Sequence, residues 1–293
     1  MLTFTVVMPQ PIRRAAVAGT WYPGKAETLI GAVDAYCAAV VPASLEGVLT
    51  GVIAPHAGLI YSGPVAACAY RQLAGRSYDV IVLVGPSHHV GFEGVSIVPR
   101  GAFQTPLGDV AISDEDAAVL LAATPVIREV PSAHQREHSL EMQLPFLQRL
   151  LPGTPIVPLV MGHQTPHTIA ALADALAEAL EPRRALLVAS TDLSHYHDAL
   201  RAAQLDHVIV DGVARFDPEA IERALAKFPD HACGGGPLVA VMRAARALGA
   251  ADARVLRYAD SGDVSGDKRA VVGYMAAVLG TFAPESRSIW SHP

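Results

Sequence analysis

Lysine is nearly missing from this 293-residue chain: Lys25, Lys227 and Lys268 are the three it has, and arginine supplies the other 19 of its 22 basic residues. Against 28 Asp and Glu, the formal net charge is -6. No stretch gathers enough cations to track a phosphate backbone, which excludes a nucleic-acid binder acting through bulk charge. Charge of either sign is scarce, at 17% against roughly 25% in an average domain, while hydrophobic residues reach 51%. Such a chain has ample material for a core, so intrinsic disorder is excluded as its main state. The cysteines, Cys37, Cys68 and Cys233, are too few for a disulfide framework and fit a reducing compartment. The longest apolar stretch, 270–283, is interrupted by Gly273 and Gly280 and falls short of the roughly 20 residues that span a bilayer. The first residues run apolar and then basic, with Arg13-Arg14 after residues 1–8, the reverse of a secretory signal. These absences predict a cytoplasmic protein with neither a membrane nor a nucleic-acid partner.

What is present is alternation. Short, continuously apolar runs at 51–54, 79–84, 95–98, 156–161, 185–189, 254–258 and 270–278 read as strands covered on both faces. Between them, Ala/Leu-rich patterns at 26–39, 64–73, 114–122, 139–151, 166–180, 218–227 and 237–248 read as helices. Thr165-Pro166 and Asp217-Pro218 each set a capping side chain before a proline at the first helical position. Ser113 with Asp116 resembles a capping box, and Pro145 should kink or delay the helix it falls in. Gln104 to Asp109 reads as a turn between strands. The pattern predicts one α/β domain over 13–283, built on a central mostly parallel or mixed β-sheet with helices on both faces. Residues 1–12 read as an extension, and 284–293 as a disordered tail ending in a purification-tag remnant, Trp290-Ser291-His292-Pro293.

Histidines carry the chemical signal. Pro55-His56-Ala57-Gly58, Gly85-Pro86-Ser87-His88-His89, Asp192-Leu193-Ser194-His195 and Gly162-His163 each follow a predicted strand. Ligands of open α/β sheets bind beyond the carboxyl ends of the strands, so one rim could receive several imidazoles. Proline and glycine beside them fix the backbone, as a metal ligand requires. Spacing alone does not choose between His88 and His89. Cys233 precedes Gly234-Gly235-Gly236-Pro237 and a predicted helix, a setting expected to lower a thiol's pKa and favour thiolate. If 137–141 is helical, His138 and Glu141 share a face and form a pair able to bind metal or relay protons. Asp192 either orients His195 as a general acid/base or caps the next helix. Tyr22 and Tyr61, beside glycine-containing turns, and Tyr196, beside His195 near the proposed rim, are able to position a ligand or simply to pack.

Ala18-Gly19-x-Trp21-Tyr22-Pro23, Pro55-His56-Ala57-Gly58, Tyr61-Ser62-Gly63, Gly85-Pro86-Ser87-His88, Thr105-Pro106-Leu107-Gly108, Glu137-His138-Ser139-Leu140-Glu141 with Pro145-Phe146, Asp192-Leu193-Ser194-His195, Cys233-Gly234 and Ser261-Gly262-Asp263 occur in this order. From about residue 13 to 279 the chain resembles the Memo family, whose prokaryotic members are called AmmeMemoRadiSam system protein B. The resemblance implies a fold like that of the LigB-type class III extradiol dioxygenases, which use a non-haem iron(II) site. It implies His56, His88 and Cys233 as metal ligands, with Cys233 in the place of the dioxygenase carboxylate. It further implies Asp192 and His195 as pocket residues, His195 being the acid/base. The family name implies an AMMECR1-like protein and a radical S-adenosylmethionine protein as partners. A thiolate in the ligand set makes copper and zinc competitors for iron(II).

Three functions compete on these residues. The first is metal-dependent redox or oxygen chemistry on a small molecule or peptide, with His195, Asp192, His138 and Glu141 as catalytic groups. The second is metal-free acyl transfer or hydrolysis by Cys233, His195 and Asp192. The third is a non-enzymatic module that binds a peptide or protein.

Overall fold

The apolar runs become strands hidden on both sides. The structure, a computed structural model, describes residues 11–43 and 45–283. The tail at 284–293 with its tag remnant lies outside the described residues, as does most of the 1–12 extension. Ile12 is an exception, because strand pairing already starts there.

The strands are β1 Ile12–Arg13, β2 Gly47–Ala54, β3 Val80–Pro86, β4 Val95–Ile97, β5 Ala102–Thr105, β6 Gly108–Ala111, β7 Ile127–Arg128, β8 Ile156–Met161, β9 Ala185–Ser190, β10 His195–His197, β11 Asp252–Asp260 and β12 Val271–Phe282. The helices are α1 Ala26–Ala38, α2 Leu59–Tyr70, α3 Asp114–Ala123, α4 Pro131–Gln135, α5 Leu144–Leu150, α6 Pro166–Leu180, α7 Ala199–Ala214, α8 Pro218–Lys227, α9 Gly235–Ala247 and α10 Gly262–Ser265. The large sheet runs β10-β12-β2-β9-β3-β8-β4-β7, with β11 also paired to β12. A small sheet, β1-β5-β6, joins the start of the domain to the hairpin around Thr105 and Gly108.

The sheet is mixed. Its centre, β2, β9, β3 and β8, is parallel. The flanks, β12 on β2 and β4 on β8, are antiparallel. Every residue of β3, β8 and β9 is buried, as strands with helices on both faces must be. Helix α2 packs on β2, β11 and β12 with α1 and α5 against it, while α9 packs on β2, β3 and β9 beside α6 and α8. Because the four central strands are parallel, their carboxyl ends share one rim, and residues 56, 88, 163 and 192 follow directly from it.

Local chemistry explains several helix ends. Thr165 and Asp217 cap α6 and α8 by accepting the Thr168 and Ala220 N–H groups, and Ser113 caps α3 by accepting that of Asp116. Pro145 delays α5, which starts at Leu144 after a 3₁₀ turn over Glu141–Gln143. Helix α2 starts five residues before the expected 64 and carries Pro64 inside it. Helix α7 was not expected. The β-branched run Val208-Ile209-Val210 and the helix-weakening Gly212 mask its period, yet Ala202, Leu205, Ile209 and Val213 form a buried stripe. Gly212 is needed there, since a Cβ would lie 2.4 Å from Ile221 of α8. Among the described residues, no helix is long and apolar enough to cross a membrane.

Candidate metal centre

The rim brings three imidazoles together. Ligand atoms of His56, His88 and His138 all lie within 4.8 Å of one another. The ring centroids are 5.1 Å apart for His56 and His88, 4.4 Å for His88 and His138, and 5.5 Å for His56 and His138. His56 is buried at 1% exposure, while His88 is open to solvent.

Hydrogen bonding decides which nitrogen of each ring faces the cluster. His56 Nδ1 meets Ser190 Oγ at 2.9 Å. That hydroxyl spends its single proton on the Ser139 carbonyl and accepts from Gln143 Nε2, both at 2.7 Å. It has only an acceptor site left, so His56 must donate from Nδ1. His88 Nδ1 lies 2.8 Å from a carboxylate oxygen of Glu137, which can only accept. Both rings therefore leave Nε2 unprotonated, in the tautomer that binds a metal.

Glu137 is the main site residue that motif reading passed over. Besides the His88 ring, its carboxylate accepts the backbone N–H groups of His88, His138 and Ser139. Burial would raise its pKa, but the His88 ring and these N–H donors hold it well below the usual carboxylate range. Glu137 stands beside His138 in the quoted motif, so its position was visible. Its role was not, because nothing in the spacing shows that it reaches back to residue 88. Ser190 and Gln143 gave no signal at all. His138 is pushed down to about 3 by burial and by the His56 and His88 rings, and burial holds His56 well below its ordinary value. Neutral imidazole is the ligand form.

Cys233 Sγ lies 3.3 Å from His56 Nε2 and accepts the Asp192 N–H at 3.3 Å. The loop that carries it is held by Gln164, whose amide donates to the Cys233 carbonyl and accepts from Gly236 N–H. The expected low pKa is corrected. Burial, with the Asp192 carboxylate adding to it, pushes the thiol well up and outweighs the backbone N–H groups beside it.

The Asp192 charge acts on the His195 ring, opposing the burial that lowers that ring's pKa, and Asp192 has a second task. Its Oδ1 accepts the His56 backbone N–H at 2.7 Å and so fixes the ligand loop. Burial raises its pKa to about 6. The cap of the following helix, α7, is Asp198 instead. No hydrogen bond joins Asp192 to His195 among the described residues; His195 Nε2 is buried without any partner. His195 and Cys233 both line a cavity of about 1010 Å³.

Glu141 does not belong to this cluster, contrary to its expected catalytic place. It is 0% exposed and accepts from the Arg13 guanidinium, the Tyr22 hydroxyl at 2.6 Å, and the N–H groups of Ala16 and Val17. The chain at 137–140 is a turn, so the i, i+3 face assumed for His138 and Glu141 never forms. Tyr22 thereby packs, while Tyr196 lines the cavity. His163 turns away to Glu93. His88 is the inward residue of the His88-His89 pair. The His89 ring approaches only His138, at 6.1 Å, and the Trp21 ring covers His138 at 4.2 Å.

The model of the Memo-like protein family matches residues 13–278. The chain belongs to the Memo family. A MEMO1 family protein of Ignicoccus hospitalis is 40% identical over 277 residues, covering 90% of this chain and 97% of that one. The MEMO1 family protein of Methanothermobacter thermautotrophicus is 38% identical over 273 residues, covering 90% and 98%. Among solved structures, an uncharacterized protein of Escherichia coli K12 superposes with a TM-score of 0.55 at 14% identity, covering 80% of this chain and all of that one. At that identity it speaks for the fold alone.

Proposed function

We propose that this Memo-family protein is a cytoplasmic metalloprotein performing redox or oxygen chemistry on a small molecule or peptide held in the cavity beside Cys233. The observation that carries the reading is the pair of Nε2 lone pairs of His56 and His88, each aimed by a dedicated buried partner. Loose surface histidines have no such support. The donor set fits a metal. Two donors on one tetrahedral ion stand roughly 3.3–3.6 Å apart at ordinary bond lengths, and Cys233 Sγ to His56 Nε2 is 3.3 Å. His56, His88 and His138 form the group close enough for one ion; Cys233 stands beside that group, against His56, and would join it on binding.

Iron(II) bound there would supply Lewis-acid and one-electron chemistry, with copper or zinc suited to the same thiolate-containing set. The protein's own groups divide the remaining tasks. Glu137 and Ser190 hold the rings. Asp192 fixes the His56 loop. His195 lines the cavity and has its buried Nε2 without a partner; it accepts or returns a proton at the ligand. The buried, apolar surroundings of β2, β3 and β9 exclude water behind the cluster.

Metal-free acyl transfer fits less well, because the imidazole at the Cys233 sulfur is His56 rather than the expected His195, and burial keeps the thiol protonated by holding its pKa well up. The test is metal content by mass spectrometry on anaerobically purified protein. Near-stoichiometric metal in the wild type, lost in His56→Ala and Cys233→Ala with the fold retained, is the expected result. Stoichiometric metal retained in both variants overturns the reading.

A further inference from the structure

The cavity beside Cys233 has a charge pattern that no catalytic assignment uses. Its wall contains no lysine and no arginine. Two carboxylates line it, Glu222 and Asp230. Glu222 is already neutralised by Arg243 at 2.7 Å. Asp230 is exposed and makes no hydrogen bond or ion pair among the described residues. Its position is nonetheless fixed. It sits in a 3₁₀ turn, Pro229–His231, started by a proline and pinned by the buried His231 ring, whose Nδ1 donates to the Leu205 carbonyl at 2.8 Å.

Another part of the same wall is built around a strained residue. Tyr196 has φ +62°, a left-handed conformation that a bulky aromatic residue rarely adopts. The pairing of β10 with β12 shifts register between His195 and His197, so Tyr196 is the extra residue of a bulge. Bulges re-aim side chains beside functional sites. Here both flanking histidines line the cavity, and the Tyr196 ring is left 78% exposed at its edge. The rest of the wall mixes the apolar Ile169, Leu193, Leu225 and Ala232 with Gln164 and the two histidines.

We infer that this cavity takes a ligand with an apolar body and a cationic amine, the ammonium resting between the Asp230 carboxylate and the Tyr196 ring and the other end directed at Cys233 and His195. A carboxylate without a counter-ion and an exposed aromatic ring are together the chemistry that recognises an ammonium group. The same wall disfavours anionic ligands, since it offers them no cation. The volume of about 1010 Å³ suits a small molecule or a short peptide end. The inference rests on the metal reading only in saying which end of the ligand reacts.

The test uses three probes that share a phenyl ring on a two-carbon arm, phenethylamine, 2-phenylethanol and 3-phenylpropionate, titrated into the full-length protein by calorimetry. The wild type should bind the amine about five- to tenfold more tightly than the alcohol, with the acid weakest. Asp230→Asn should level the amine and the alcohol, and Asp230→Lys should move the acid to first place. Equal or acid-first binding in the wild type overturns the inference. So does an amine preference that survives in Asp230→Asn, or the absence of saturable binding by all three probes. Metal content measured on the same samples separates the two proposals, because Asp230 lies outside the donor set. An amine preference in metal-free protein leaves this inference standing while the metal reading fails.

Discussion

Glu137 and Glu141 stand four residues apart in one motif, both buried and both surrounded by donors, yet they serve different regions of the molecule. Glu137 accepts from the His88 ring and from three backbone N–H groups around the cluster. Glu141 accepts from Arg13, Tyr22 and the backbone of residues 16 and 17, and so fastens the start of the domain. Residue type and burial do not separate them. What separates them is whether a donor's far side faces the imidazole cluster. A buried carboxylate is by itself a statement about satisfied hydrogen bonds, and only its partners make it a statement about function.

Substitutions can break this comparison. Glu141→Ala should have the largest effect on stability, because it leaves the Arg13 charge without its carboxylate, with only the His134 and Glu137 carbonyls to accept from it, and the Tyr22 hydroxyl without an acceptor. A loss of ~3–5 kcal/mol is expected from chemical denaturation, with metal content per folded molecule unchanged. Loss of metal with full stability would reverse the assignments of the two glutamates.

The same anchored region predicts a pH dependence. The carbonyl of His134 accepts from Arg13 Nε, and its buried ring has Nε2 on Ser96 and Nδ1 without a partner. Burial lowers its pKa to about 4. The unfolded chain takes up this proton near pH 6.5 and the folded one only near 4, so the stability contribution is present above 6.5 and is lost as pH falls through that window. The loss is up to about 3 kcal/mol. Denaturation from pH 7 to pH 4 should show this slope added to that of the buried His56 and His138 rings, and His134→Phe should reduce it by the His134 share alone.

Glu137→Gln should act chiefly on the site. A neutral amide no longer holds the His88 ring with a charge, and metal affinity should fall about 10- to 100-fold in competition with a chelator. Ser190→Ala should do the same more mildly, about tenfold or less, because His56 keeps its loop through Asp192 while its Nδ1–H loses an acceptor. Equal metal affinity in the wild type and both variants would show that these partners do not orient the ligands.

Much of this architecture is legible in the residues, for reasons that also explain the gaps. The ends of β8, α6 and α8 follow from continuous apolar runs and from proline-linked caps. Helix α7 is hidden by its β-branched run, and β1, β5 and β6 are too short to carry a period. At the site, His56 and His88 stand out because glycine and proline punctuate the strand ends that bear them, and Cys233 because three glycines and a proline follow it into α9. Glu137, Ser190 and Gln143 do not, because their importance is a matter of contact across 49, 134 and 88 residues of chain, respectively. Glu141 misleads because helical spacing was assumed where Pro145 delays the helix. Asp192 was read against its neighbours in sequence, whereas its partner is the backbone of His56.

The most direct measurement of the central claim is X-ray absorption at the edge of the bound metal in anaerobically purified protein. The account predicts at least two imidazole nitrogens near 2.0–2.1 Å and one sulfur near 2.3 Å, with the sulfur shell gone in Cys233→Ala. A first shell of oxygen alone, or one that keeps its imidazole scattering in the His56→Ala, His88→Ala double variant, would contradict it.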